Sequence, residues 1–245
     1  MGMTDERLLN RVRELRAQGY APAEVARALA ISKSEATQLI RAVAAESQGA
    51  VSGRAADPVR CWINPGWRQG LRIDGHDDWP DEEDDAQVGG IAVVMTARPC
   101  GRDQLQVCTF LVDTWCLGVK NAMGPKRMRT REFDAARLHH YEPWHSQGLA
   151  VPLEMGQHLV LGAVEFAREL GFEPHPDFRR ACPALGSWSG PSAITFGKDG
   201  RPHYVSGPYD DPQRVLATLE RAVGRGGFHY SAVLIDTGED LSHAA

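Results

Sequence analysis

Several chemical signatures are missing from this 245-residue chain. Its five cysteines, Cys61, Cys100, Cys108, Cys116 and Cys182, are odd in number, and no two share a CxxC spacing. That argues against a zinc ribbon or a disulfide scaffold. No apolar run approaches the roughly 18 residues that a membrane span requires. The opening segment MGMTDERLLNRV has no apolar signal core, so a cytoplasmic protein with no membrane partner is expected. The phosphate-cradling patterns GxGxxG and GxxxxGK[ST] are absent, and no cofactor is expected. GSWSG (186–190) carries Trp188 where a nucleophile elbow needs Ser. The run HHYEPWH holds His139, His140, Glu142 and His145 but lacks the HExxH zinc-helix spacing, so these read as surface or packing residues. An excess of positive charge is missing too. The net charge of -5 gives no whole-surface attraction to nucleic acid.

What is present is a composition that folds, with 42% hydrophobic and 24% charged residues. The pattern along the chain predicts an α+β protein in three parts. Residues 5–46 are expected to form a small all-α domain, 47–90 a linker with an acidic stretch, and 91–235 a larger mixed sheet domain. The acidic stretch runs from Asp74 to Asp85, where eight of twelve residues are Asp or Glu. Self-repulsion makes it a solvated loop, or a segment that competes with DNA for a basic surface.

Within the first part, Leu8, Val12 and Leu15 share one helical face. Pro22 suits the first turn of a second helix, where its missing N–H would have no helical partner. Val25, Ala26 and Leu29 face inward from that helix. Ser34 is the expected N-cap of a third helix, whose apolar side is Ala36, Leu39, Ile40 and Val43. The stretch AEVARALAISKSEATQLIRA (23–42) resembles the helix-turn-helix of bacterial regulators, resolvases and sigma-factor-like domains. The small Ala26 at the helix crossing, Leu29 and Ile31 around the turn, and the Ser-Lys-Ser entry carry the likeness. The sequence departs from the pattern at Ala30, where glycine is usual because the turn needs positive φ. The resemblance implies that the third helix enters a DNA major groove, with Lys33, Ser34, Glu35, Thr37, Gln38 and Arg41 toward DNA. Gln38 could read adenine, and Lys33 and Arg41 could hold phosphates. Readers of this type often pair as homodimers. Residues 1–48 carry seven Lys and Arg against six Asp and Glu, a weak footprint for such a role.

The larger part is expected to open with a hairpin, IAVVMTAR (91–98) and LQVCTFLVDTWCLGV (105–119), joined by PCGRDQ. The second strand is apolar on both faces, as in a strand covered on both sides. A helix is predicted at about 153–170, ended by Gly171. AITF and PHYVSG should pair across the turn GKDGR, Asp211-Pro212 should start a helix ending before Gly224, and 228–235 should be a last strand. The basic run 120–131, with Lys120, Lys126, Arg127, Arg129 and Arg131, reads as a loop able to hold phosphates.

Three functional readings follow. The leading one is a DNA-binding regulator whose α+β domain senses, oligomerises or binds a protein partner. An alternative is a metal-dependent nuclease with an RNase H-like domain built on Asp113, with Glu154, Glu165 and Asp177 as further carboxylates. The third is a protein-interaction adaptor.

Overall fold

A computed structural model describes residues 3–18, 20–49, 59–82 and 89–231. Gly19, the tail GEDLSHAA and the end of the predicted last strand lie outside the described residues. The first part forms three helices, α1 (Met3–Ala17), α2 (Pro22–Ala28) and α3 (Lys33–Gly49). Val12, Leu15, Val25, Ala26, Ala36, Ile40 and Val43 close a small core between them. The helical periodicity marks all of these, with Leu29 and Leu39 only partly buried and Leu9 rather than the expected Leu8 packing from α1.

The α2–α3 connection is built from two local devices. Ala30 lies in the left-handed region at φ 54. The Ile31 amide donates to the Ala26 carbonyl (2.9 Å) and the Ala30 amide to that of Arg27 (3.3 Å). These two bonds make a Schellman ending, which normally has Gly where Ala30 stands. The cap of α3 is Ser32, not Ser34. The Ser32 hydroxyl accepts from the Glu35 amide, and the Glu35 carboxylate accepts from the Ser32 amide. Glu three residues after Ser satisfies two otherwise orphaned amides at once, which fixes the helix start two residues earlier than expected.

The larger part is organised on one antiparallel sheet in the order β5-β4-β3-β1-β6. Its strands are β1 (Arg60–Ile63), β3 (Ile91–Gly101), β4 (Gln104–Asp113), β5 (Gly118–Arg129) and β6 (Leu149–Val151), with β2 (Arg72–Ile73) set outside it. The sheet therefore starts inside the segment expected to be linker. Cys61, Trp62 and Ile63 bury their side chains there, and β1 supplies a strand between β3 and β6. The acidic stretch is likewise no open loop over its described residues 74–82. Trp79 is buried in the core beside Trp67, and the Asp81 carboxylate accepts from the Gly66 amide.

Period-two alternation splits the apolar residues between two faces. Cys61, Ile63, Val94, Phe110, Val112 and Val119 face α5 (Leu153–Glu169), which contributes Met155, Leu159, Val160, Ala163 and Val164. Trp62, Val93, Met95, Ala97, Leu105 and Val107 face α4 (Thr130–Tyr141), which buries Phe133 and Tyr141. β4 is thus covered on both sides, as expected. It ends at Asp113, however, and residues 114–117 turn into β5. The basic run is a strand rather than a loop. Helix α4 follows it directly and was not anticipated, although Phe133, Arg137 and Tyr141 recur at helical spacing.

Helix α5 ends where Gly171 takes φ 91, with the Phe172 amide on the Ala167 carbonyl, a second Schellman ending. The short α6 (Phe178–Ala181) follows. The GKDG turn forms, with a bridge between Lys198 and Arg201, but its flanks join different partners. β7 (Ile194–Thr195) pairs with β2, and β8 (His203–Val205) pairs in parallel with β9 (His229–Ser231). Parallel pairing needs a crossover, supplied by α7 (Pro212–Val223). Asp211 caps α7 by accepting from the Arg214 amide.

Relieving the one non-glycine residue of the α2–α3 turn held at positive φ should stabilise the fold. Ala30→Gly removes a left-handed strain of about 1–2 kcal/mol and adds a smaller unfolded-state entropy cost. A net gain of about 0.5–1 kcal/mol is expected in urea denaturation followed by circular dichroism.

Candidate functional site

The exposed side of α3 holds the residues singled out from the sequence, but they divide into groups with different surroundings. Glu35 is committed to the Ser32 cap, and the Thr37 hydroxyl donates to the Lys33 carbonyl at 2.8 Å. Ser34 and Gln38 are exposed. Lys33, Thr37 and Arg41 recur every four residues and so form one stripe. That stripe lines a cleft of about 580 Å³ whose opposite wall is α5, with Glu165 and Glu169, and the segment just after it, with Glu173.

Two arginines hold the cleft together. Arg16 of α1 donates to Glu165 at 3.2 Å, and Glu165 also accepts from the Trp188 indole at 2.9 Å. Arg168 donates to Glu24 at 2.9 Å and to Glu173 at 3.1 Å. The Arg16 and Arg168 side chains are only 8% and 14% exposed, so these pairs are screened far less than surface ones. Burial lowers the Arg16 pKa, and Glu165 opposes the shift. The Arg16 Nε is buried with no hydrogen-bond partner among the described residues. Sequence reasoning missed this joint, because nothing local links Arg16 or Glu24 to residues some 150 positions away.

The carboxylates weighed for a nuclease do not converge. Glu165 is engaged in the joint, Glu154 is exposed in the first turn of α5, and Asp177 is exposed before α6. Among the described residues no group of three or more His, Cys, Asp or Glu is placed to hold a metal ion.

Asp113 is buried at the end of β4, and its Oδ1 accepts from the Trp115 amide (3.0 Å) and the Cys116 amide (2.9 Å). It closes the turn into β5. Burial pushes its carboxyl from the ordinary 3.8 up to about 6, against the pull of those amides and of Lys120. Lys120 pairs with Asp210 at 2.8 Å, and Asp210 also accepts from the Gly207 amide and the Tyr204 hydroxyl. Asp210 lies in GPYDDP, where the sequence suggested only a turn. The doubled Asp was the available signal, since its second member caps α7 and leaves the first free for Lys120.

The rest of the basic run is exposed on β5, an edge strand. Lys126 pairs with Val107 and Arg127 with Gln106, so their side chains leave opposite faces of the sheet. Arg129 and Arg131 are exposed at the strand end and the start of α4. Arg98, aligned with Gln106 on β3, joins Arg127 on one face. The run is therefore divided rather than a single phosphate track.

Two histidines that the sequence did not mark sit in an aromatic cluster. His76 stacks on Trp79 at 4.3 Å, and His158 meets Trp188 edge-on at 4.9 Å. The His158 Nδ1 accepts from the Ala193 amide, and burial lowers its pKa, which together favour the neutral ring. Compared with protein-family models, curated proteins and solved structures, the chain has no match.

Asp113 gives a pH signature. Its folded pKa is raised, so the fold binds its proton more tightly than the unfolded chain does. Its contribution is most favourable below the ordinary value, falls as pH climbs from about 4 to about 6, and is level above that. Asp113→Asn keeps an oxygen acceptor for both amides but does not titrate. Urea denaturation at pH 4.5 and 7.5 should show the variant gaining on the parent by about 2 kcal/mol at the higher pH. Equal pH dependence in the two proteins would refute the shifted carboxyl.

Proposed function

We propose that the three-helix unit reads DNA through α3, and that its docking on α5 controls access to that helix. The supporting observation is the cleft itself, in which Lys33, Thr37 and Arg41 face the acidic wall of α5. A helix seated in a major groove about 12 Å wide is flanked by both strands. The same stripe therefore cannot face α5 and DNA phosphates at once. The reciprocal cap and the four-residue turn support the DNA-reading geometry, and the exposed Ser34 and Gln38 stand where base edges would be met. On this reading the α+β domain is the regulatory part, and a second copy of the chain would supply the second half-site.

Selection of bound DNA from a random pool, followed by gel retardation, tests the reading. Gln38→Ala with Arg41→Ala should weaken retardation at least tenfold while circular dichroism stays unchanged. Arg168→Ala should strengthen it several-fold by releasing Glu24, even though the variant has lost a positive charge. Simple electrostatics predicts the opposite sign, so weaker binding by Arg168→Ala would refute the docking control, and unchanged binding by the double variant would refute α3 as the reader.

A further inference from the structure

The α4 side of the sheet is not fully covered. Beyond α4, near the β4–β5 turn, Ile91, Leu111, Trp115, Val205, Pro208 and Tyr209 wall a cavity of about 390 Å³. That size and its largely apolar wall are those of a small-molecule site. Part of the cavity wall is backbone packed close to an indole. A Cβ at Gly90, whose φ is +83, would come within 2.4 Å of Trp115. The Trp115 indole is fixed by donating to the Gln69 carbonyl at 2.8 Å. At the rim, the Tyr209 ring is 98% exposed, an unusual position for a large aromatic side chain.

The charged groups among the described residues of this wall are unequal. Asp113 and Asp210 are two carboxylates, and Lys120 is the single ammonium among them. Lys198 approaches the Trp115 ring at 4.8 Å but does not line the cavity. An acidic apolar cavity with aromatic groups at its wall and rim suits an organic cation, which gains from both carboxylates and ring faces. It disfavours a carboxylate or phosphate, although Lys120 is part of a basic run in the sequence.

From this cavity we infer a binding site for a small aromatic amine in its protonated form, with the ring against Tyr209 and the apolar wall of Ile91 and Leu111 and the ammonium toward Asp113 and Asp210. The site does not depend on DNA binding, because it lies on the sheet face away from α5 and, among the described residues, shares no lining residue with the α3 cleft.

Three probes with one ring system separate charge from shape: 1-naphthylmethylamine, 1-naphthylmethanol and 1-naphthylacetate. Equilibrium dialysis against the full chain at neutral pH should show the amine bound at least tenfold more tightly than the acetate, with the alcohol between them. Lys120→Gln leaves the two carboxylates unopposed and should tighten the amine a few-fold. Tyr209→Ala, at an exposed position that the fold does not need, should weaken it at least fivefold, and Tyr209→Phe should restore it. Preference for the acetate would make Lys120 an anion site and overturn the inference. Failure of all three probes to bind at millimolar concentration, or amine binding indifferent to both Lys120→Gln and Tyr209→Ala, would also overturn it.

Discussion

Three packing surfaces converge on α5, and each uses a different part of its 17 residues. Met155, Leu159, Val160, Ala163 and Val164 cover one face of the sheet. Phe166, with Leu170 just past the helix end, reaches the core of the β8–α7–β9 unit, with Tyr204, Val215 and Leu219. Glu165 and Arg168 hold the three-helix unit. Close approach depends on small residues along the helix and the strands facing it. A Cβ at Gly156 would meet the Cys61 Sγ at 2.7 Å, and one at Gly118 would meet the Ala167 Cβ at the same distance. Interiors packed to crystal-like density do not absorb such overlaps without movement. The position of α5 therefore sets the relation between the sheet, the parallel unit and the first three helices.

The connection between α5 and the three-helix unit is mainly ionic rather than apolar. Arg16, Glu165 and Trp188 form one hydrogen-bonded group, and Glu24, Arg168 and Glu173 form another. Pairs of this kind are strongly destabilised when one partner is removed, because the other is left buried and unpaired. They are also easily exchanged for another charged surface. An ionic joint is thus suited to two arrangements of the same unit, whereas an apolar joint would hold one. This is the physical basis for reading the α3 cleft as a point of control.

The second concentration of charge, around Lys120, is of a different kind. Asp113 closes the β4–β5 turn through backbone amides, and Asp210 ties the loop before α7 to β5 and β8. Both carboxylates are satisfied by the fold and still face an apolar cavity. Their structural role explains an Asp inside a strand-like apolar run without requiring a metal. The same burial that makes Asp113 a poor candidate for a two-metal site raises its proton affinity.

How much was legible from the sequence depended on how far apart the interacting residues are. The three small helices, α5 with its Gly171 ending, the β3–β4 hairpin and the Asp211 cap are all specified within a few turns or one hairpin. Periodicity, capping chemistry and turn residues suffice for these, and the α+β class follows from them. Ser32 could have been found as the α3 cap from its spacing to Glu35. β1 was hidden because four residues flanked by polar and acidic segments carry little pattern, and only β3 and β6 make them a strand. β5 was hidden because its residues are basic, and an edge strand tolerates exposed charge. The contents of α1–α3 and the face they bury were determined by the sequence itself through local periodicity. Which side of α3 meets α5, and which carboxylates meet Lys120, were decided by tertiary packing alone, because those contacts join residues 90 to 150 positions apart.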